Sequence, residues 1–139
     1  MNKHLQAKKV VKKMMAEDAF SQWLGIEVME VGPGYVKLQM DIRDEMNNGF
    51  QVTHGGIAYA FADSALAFAS NSHGPVALAL ENNISYLRKV NSGDTITAVT
   101  EEVRIGRSIG VYNIVMTNQN GKKVAFFRGT VFRTKKRHF

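Results

Sequence analysis

The chain has 139 residues, of which 45% are apolar and 22% are charged, and its formal net charge is +6. This composition supplies the core of one globular domain and excludes an intrinsically disordered chain. There is no cysteine, which excludes disulfide bonds and thiolate sites, and no apolar run approaches the ~20 residues that span a bilayer.

The positive charge is concentrated near the two ends of the sequence. A basic balance favours anionic partners such as nucleic acid, acidic membranes or a phosphorylated cofactor, although charge runs are more often simply solvated. The stretch before Ser21 uses lysine rather than arginine and has no apolar secretory core, so we expect a mature cytoplasmic protein. The basic residues are Lys3, Lys8, Lys9, Lys12, Lys13, Lys135, Lys136 and Arg137.

The pattern of residues 3–23 predicts one amphipathic N-terminal helix, and Gly25 is placed to end it. Apolar side chains recur at spacings of three and four residues, while the lysines mostly occupy the other side. A helix lying on a membrane surface would show the same pattern, but we favour a helix packed on its own domain. The apolar positions are Val10, Val11, Met14, Met15, Ala19, Phe20 and Trp23.

Two strands are predicted next, over residues 26–31 and 35–42, with the Gly-Pro-Gly sequence at 32–34 as the turn between them. Apolar and polar residues alternate along the second strand, which is typical of a strand with one buried face. A looser segment, from Asp44 to Thr53, leads into the next element.

Residues 55–72 predict a central helix with small and apolar residues on every side, alanine above all. A helix that is apolar all round is a buried one. Its length of about 24 Å, at ~1.5 Å per residue, is too short for a bilayer.

Four more strands are predicted at 76–88, 94–105, 109–118 and 122–134, the last two joined by a hairpin at Asn120-Gly121. No repeat, linker or second domain is evident. The order of helix, two strands, buried helix and four strands predicts an α+β fold over residues 1–139. In that fold one antiparallel sheet wraps around the central helix.

Asp63 is the residue in this pattern that folding alone does not explain. Aspartate is unfavourable inside a helix, and a carboxylate in apolar surroundings must either find partners or become neutral. A solvent-facing position or a capping role would also account for it. An ionisable group in such surroundings is nevertheless a candidate for catalysis.

The sequence His54-Gly55-Gly56 opens the same helix. A helix N-terminus presents unpaired N–H groups, and glycine allows another molecule to approach the backbone, so this site suits a polarised carbonyl oxygen. Plain capping of the helix would need no ligand. The start of the helix and Asp63 are roughly 13 Å apart, so one substrate meets both only if a second subunit or another segment completes the site.

Other kinds of site find no support in the sequence. There is no GxxxxGK[ST] or GxGxxG phosphate loop, no HExxH and no GxSxG motif. The histidines at positions 4, 54, 73 and 138 lack the spacing of metal ligands. We therefore expect neither a metal nor another cofactor.

Taken together, these residues resemble the hotdog-fold acyl-CoA thioesterases of the phenylacetic-acid-degradation type. The similarity covers about residues 17–133, and the spacing from Asn48 through His54 to Asp63 is its most specific part. The matching segments are Asp18, Leu24-Gly25-Ile26, Met46-Asn47-Asn48-Gly49, His54-Gly55-Gly56, Ala62-Asp63-Ser64-Ala65, Asn71-Ser72, Gly93-Asp94, Gly106-Arg107, and the ending from Gly121 to Gly129 with Val124-Ala125.

The resemblance implies a sheet wrapped around one long helix and a homodimer or homotetramer with active sites at the subunit interface. It implies that the amide of Gly55, or that of Gly56, polarises the thioester carbonyl. Asp63 of the other subunit then activates water or attacks directly. Asn48 helps to place the water or substrate, and His54 supports the loop.

Two departures from the family pattern concern the substrate. Ala79 stands where some relatives carry a hydroxyl group, and Lys89 replaces a proline near the expected position of the CoA nucleotide. Basic residues suit phosphate groups. The residues assigned to substrate binding are Ser64, Lys89, Arg107 and Ser108.

Hydrolysis of aryl-acetyl or short- to medium-chain acyl-CoA is therefore the predicted function. The principal alternative is a hotdog module that binds acyl-CoA without turnover, since a fold does not settle activity. A hotdog dehydratase would need an acid–base pair at another spacing. A nucleic-acid or membrane-surface protein, acting through the basic ends, ranks last because no aromatic–basic platform is present.

Overall fold

The computed structural model describes all residues, 1–139. One antiparallel sheet of six strands has the order β1-β2-β4-β5-β6-β3, and the long helix α3 packs against it. This confirms the predicted α+β fold and the predicted order of its strands and central helix. The strands are β1 (Glu27–Gly32), β2 (Tyr35–Asp41), β3 (Pro75–Tyr86), β4 (Thr95–Ile105), β5 (Ile109–Thr117) and β6 (Lys123–Arg137), and the helices are α1 (Lys3–Glu17), α2 (Ala19–Leu24) and α3 (Gly55–Asn71). A short 3-10 helix, Asp44–Met46, precedes α3.

The turns form where the local sequence predicts them. Gly25 ends α2 with φ 77°, Gly34 has φ 72° in the turn after β1, and Gly121 has φ 74° in the β5–β6 hairpin. These are left-handed conformations that glycine adopts without strain.

The prediction of one helix over residues 3–23 is wrong, because the structure has two helices that meet at Asp18. The Asp18 backbone, at φ −101° and ψ 86°, is not helical, and its side chain caps α2 by accepting from the Ser21 N–H. A side-chain cap of this kind competes with continuation of the helix.

Two aromatic residues of α2 are more exposed than the prediction of a single helix implies. Phe20 and Trp23, predicted on the buried face, are 53% and 45% exposed. Their rings stack with centroids 6.0 Å apart, and the Arg43 guanidinium lies 5.0 Å from the Trp23 ring. The rings therefore gain their contacts on the surface of the domain.

The core lies between α3 and the sheet. Phe61, Leu66 and Phe68 of α3 are fully buried against Leu38, Ile114 and Phe127 from three strands. The alternation predicted for β2 is confirmed, since Val36, Leu38 and Met40 are all buried. None of the helices is long and apolar enough to cross a membrane.

The strand β3 is one of the two edges of the sheet, and it is irregular. Its pairing with β6 shifts register between Ala79 and Glu81, which marks a β-bulge. Most of its central side chains are exposed, including Leu78 and Leu80. Long apolar edge strands of this kind are sites of pairing with another chain.

Candidate functional site

Asp63 lies in the middle of α3, half-buried, on a side of the helix that faces β3. The Asn82 amide nitrogen donates a hydrogen bond of 3.1 Å to Asp63 Oδ1. Burial raises the pKa of Asp63 above its ordinary value, and the hydrogen bond from Asn82 opposes that rise. The carboxylate thus has one oxygen held and the other without a partner in the chain.

A cavity of about 290 Å³ lies beside Asp63, between α1, α3, β3 and the segment after β6. Its walls are mainly apolar, which suits an apolar part of a ligand. His138 also lines the cavity, and burial together with the neighbouring Lys13 lowers the pKa of this histidine. The apolar wall consists of Met14, Leu66, Ala67, Val76, Ala77, Leu78, Ala79 and Val131.

Asn82 is a residue of this site that the sequence analysis did not identify. Its amide oxygen is buried and has no hydrogen-bond partner, which is uncommon in folded proteins. The pair Asn82-Asn83 inside an otherwise β-prone run is a visible signal. Only the register of β3 shows which of the two faces α3.

The start of α3 presents a different arrangement. His54 caps the helix, its Nδ1 accepting from the Gly56 N–H at 2.8 Å, while the Gly55 N–H has no acceptor in the chain. The Tyr86 hydroxyl donates to the Gly55 carbonyl oxygen at 2.8 Å. A Cβ atom at Gly55 would lie 2.9 Å from the Tyr86 hydroxyl oxygen, so an alanine here would displace the Tyr86 side chain from this contact.

A second cavity, of about 410 Å³, adjoins this helix start. It is lined by Val52, Thr53, His54, Gly55, Ala58, Tyr86, Leu87, Arg88, Lys89, Val90 and Val124. The predicted residues His54, Gly55 and Lys89 thus lie around one space, and Arg88 adds a second positive charge. The free N–H of Gly55 could donate to an oxygen atom of a ligand bound there, and the two positive charges favour an anionic ligand.

The two cavities share no lining residue. Asp63 lies eight positions after Gly55 in α3, which corresponds to about 12 Å along the helix axis. The single chain therefore does not bring its free amide and its carboxylate onto one reacting atom.

The remaining predicted residues lie outside both cavities. Asn48 shapes its own loop, its Oδ1 accepting from the Phe50 N–H at 2.8 Å. Ser64 is buried and forms a hydrogen bond with Ser21 of α2, so within the chain it joins two helices rather than facing a cavity. Arg107 and Ser108 are exposed in the turn between β4 and β5. No group of three or more metal-ligating side chains lies close enough together to hold a metal ion.

Comparisons with known proteins agree with one another. The sequence profile described as the thioesterase superfamily matches residues 50–125, a stretch that includes the whole of α3. The acyl-coenzyme A thioesterase PaaI of Escherichia coli is 40% identical over 116 residues, covering 84% of this chain and 83% of that protein. The 1,4-dihydroxy-2-naphthoyl-CoA hydrolase of Listeria monocytogenes is 30% identical, covering 82% and 94% respectively.

Solved structures show the same similarity in three dimensions. The E. coli PaaI protein from the phenylacetic acid degradation operon superimposes with a TM-score of 0.95 at 35% identity, over 98% of this chain and 99% of that one. A Streptococcus mutans protein solved with acetyl CoA gives a TM-score of 0.78 at 29% identity, over 81% and 90%.

Proposed function

The chain belongs to the thioesterase superfamily, and we propose that it hydrolyses aryl-acetyl or short- to medium-chain acyl-CoA with Asp63 as the central carboxylate. The similarity to PaaI supports acyl-CoA as the substrate of this thioester hydrolase. The observation that carries the role of Asp63 is its position: a half-buried carboxylate, with one free oxygen, on the wall of an apolar cavity.

In the proposed reaction a water oxygen bonds to the thioester carbonyl carbon and the carbon–sulfur bond breaks. Asp63 takes a proton from the water and returns it to the leaving sulfur, so the products are a free acid and CoA thiol. Direct attack by Asp63, followed by hydrolysis of the resulting anhydride, gives the same products. No metal or other cofactor takes part in either route.

The carbonyl oxygen gains negative charge as the new bond forms, and a free backbone N–H placed at that oxygen stabilises it. Gly55 supplies such a group, whereas the Gly56 N–H is already bonded to His54 Nδ1. We therefore assign the donor to Gly55 and a supporting role to His54. Asn48 remains our candidate for placing the water or substrate, since its amide nitrogen has no partner in the chain.

Two protomers complete the site in this proposal, with Gly55 from one and Asp63 from the other, in a homodimer or homotetramer. The separation of the two groups along α3 supports this arrangement. So does the edge strand β3, whose Leu78 and Leu80 are each 60% exposed. Pairing of two β3 edges would bury these leucines and continue the sheet across both protomers.

The size and charge of the cavities support the substrate class. At about 290 Å³ the cavity beside Asp63 is near the lower limit for small-ligand sites, which suits a compact acyl group. Lys89, which lines the cavity at the start of α3, is our candidate for the CoA phosphates, with the exposed Arg107 and Ser108 as further substrate contacts. A cytoplasmic location is part of the proposal.

The test is release of free thiol from phenylacetyl-, short-chain and long-chain acyl-CoA, for the native protein and for Asp63→Asn. We expect the native protein to prefer the compact acyl groups. Loss of a group that transfers protons in the transition state lowers kcat about a hundredfold to ten thousandfold. Asp44→Asn, at an exposed aspartate outside both cavities, is the matched control.

Full activity of a folded Asp63→Asn variant would contradict the role of Asp63. If the native protein releases no thiol, but acyl-CoA raises its melting temperature, the chain is a binding module instead of an enzyme.

A further inference from the structure

Asn82 makes the one hydrogen bond that the Asp63 carboxylate receives from its own chain. The Asn82 Nδ2 atom lies 3.1 Å from Asp63 Oδ1. An ionised carboxylate can only accept hydrogen bonds, so the Asn82 amide must direct its nitrogen toward Asp63 and its oxygen away from it. This contact restrains rotation of the carboxylate and leaves Oδ2 free.

The other half of the Asn82 amide is left unsatisfied. Its Oδ1 is buried without a donor, which costs free energy that an apolar side chain of similar size would not cost. Folding therefore gives no reason for an asparagine at this position. The contact with Asp63 gives one.

The β-bulge is what turns Asn82 toward α3. In a regular strand, side chains on one face are separated by an even number of residues. Ala77, before the bulge, is buried, and Ile84, after the bulge, packs against the core. The two residues are an odd number of positions apart, so they can share one face of the strand only if the bulge adds one extra residue between them. Without the bulge the acidic Glu81 would take the inward place beside Asp63. Bulges next to active sites commonly redirect side chains in this way.

The neighbouring strand leaves room for the amide. Gly129 of β6 is paired directly with Asn82. A Cβ atom at Gly129 would lie 2.9 Å from Asn82 Oδ1 and 2.5 Å from a Leu66 methyl group. The space that Asn82 occupies thus depends on a glycine in the adjacent strand.

We propose that Asn82 is a positioning residue for Asp63, which holds one carboxylate oxygen so that the other meets the reacting water or thioester. This inference rests on the proposed function of Asp63. Asn82 acts through Asp63 and need not touch the substrate.

The experiment compares Asn82→Ala with Asn83→Ala, the adjacent exposed asparagine, in the full-length protein. The pH profile of kcat/KM for an accepted acyl-CoA is measured, with melting temperature and oligomer mass. We expect Asn82→Ala to lower kcat about tenfold to hundredfold, the loss typical of a hydrogen bond to a charged group, with a smaller change in KM. The acid limb of the profile should move to higher pH, and Asn83→Ala should resemble the native protein.

Asn82→Asp keeps the size of the side chain and replaces the donor with a carboxylic acid. Two adjacent carboxyl groups share a proton, so this variant should regain activity as the pH falls, when the introduced acid can donate again. Asn82→Ala should show no such recovery. Comparison of the two variants distinguishes a positioning role of Asn82 from a general loss of folding. If Asn82→Ala is unstable, the pH dependence of Asn82→Asp tests the proposal by itself.

The outcomes distinguish this inference from the proposed function. If Asp63→Asn is inactive while Asn82→Ala and Asn82→Asp keep native rates and pH profiles, the role of Asn82 is overturned and that of Asp63 stands. If Asp63→Asn is as active as the native protein, both fail.

Discussion

At the scale of single residues, folding and the proposed reaction favour different ionisation states of Asp63. Burial disfavours its ionised form, whereas the proposed reaction requires that form. A raised pKa also makes the carboxylate a stronger base once it is ionised, which helps it to take a proton from water.

This difference predicts that Asp63→Asn lowers the activity but raises the stability of the protein. Because the folded-state pKa is raised, ionised Asp63 destabilises the fold at pH values above that pKa. The variant should therefore melt higher than the native protein at neutral pH, and the difference should vanish as the pH falls below 3.8, the ordinary value for aspartate. The native kcat/KM should fall with acidification, with an apparent pKa above 3.8.

Thermal denaturation from neutral to acidic pH, beside the pH profile of thiol release, measures both effects. A variant that melts lower than the native protein at neutral pH would show that the contacts of the ionised Asp63 outweigh the cost of burying it.

At the scale of elements, the start of α3 combines a cap, a free donor and a close contact with β3. His54 Nδ1 accepts a hydrogen bond from the Gly56 N–H, and the Tyr86 hydroxyl donates one to the Gly55 carbonyl oxygen. These two contacts hold the peptide group between Gly55 and Gly56. The peptide group that carries the Gly55 N–H is held by a third contact, in which the Ile57 N–H donates to the His54 carbonyl oxygen at 2.9 Å. The direction of the Gly55 N–H is therefore set before any ligand arrives, which is the condition for stabilising a developing charge at low cost.

Gly55→Ala should disturb this arrangement, because the added methyl group would lie 2.9 Å from the Tyr86 hydroxyl oxygen. We expect a loss of thiol release of about a hundredfold, the order that follows from a small misplacement of a catalytic group. Gly49→Ala is the control, since a Cβ there would meet nothing within 4 Å. Equal activity of the two variants in the thiol-release assay would contradict the role of the Gly55 amide.

At the scale of the whole molecule, the two edges of the sheet differ. The strand β1 packs beside α1, whereas β3 presents two exposed leucines next to the cavity that contains Asp63. In the proposed assembly β3 is the edge that pairs, so assembly and catalysis depend on the same strand.

Leu80→Lys should therefore yield a monomer and abolish thiol release, because a charge on the β3 edge would be buried in the proposed interface. Met29→Lys places the same charge on the opposite edge of the sheet, at a side chain that is 47% exposed. It should change neither property. Light scattering gives the mass and the acyl-CoA assay gives the activity; a fully active Leu80→Lys monomer would contradict a shared site.

The sequence by itself determined the strands, the central helix and their order, and it singled out Asp63 as a candidate. Alternation along β2, the glycines of the turns and the all-apolar character of α3 act through neighbouring residues, so local chemistry suffices to predict them. The chemistry of a helix N-terminus singled out His54 and Gly55 as well, and the resemblance added Asn48 as a further proposed partner of Asp63. No local pattern shows how these residues would come together over such a distance.

Tertiary structure alone decided how these residues meet. The exposure of Phe20 and Trp23 and the approach of Asn82 to Asp63 depend on contacts between distant segments. A bulge of one residue determines whether Asn82 or Glu81 faces α3, and its position follows from the pairing of β3 with β6. The physical reason is that strand register is a property of two strands together, so it cannot be read from either strand alone.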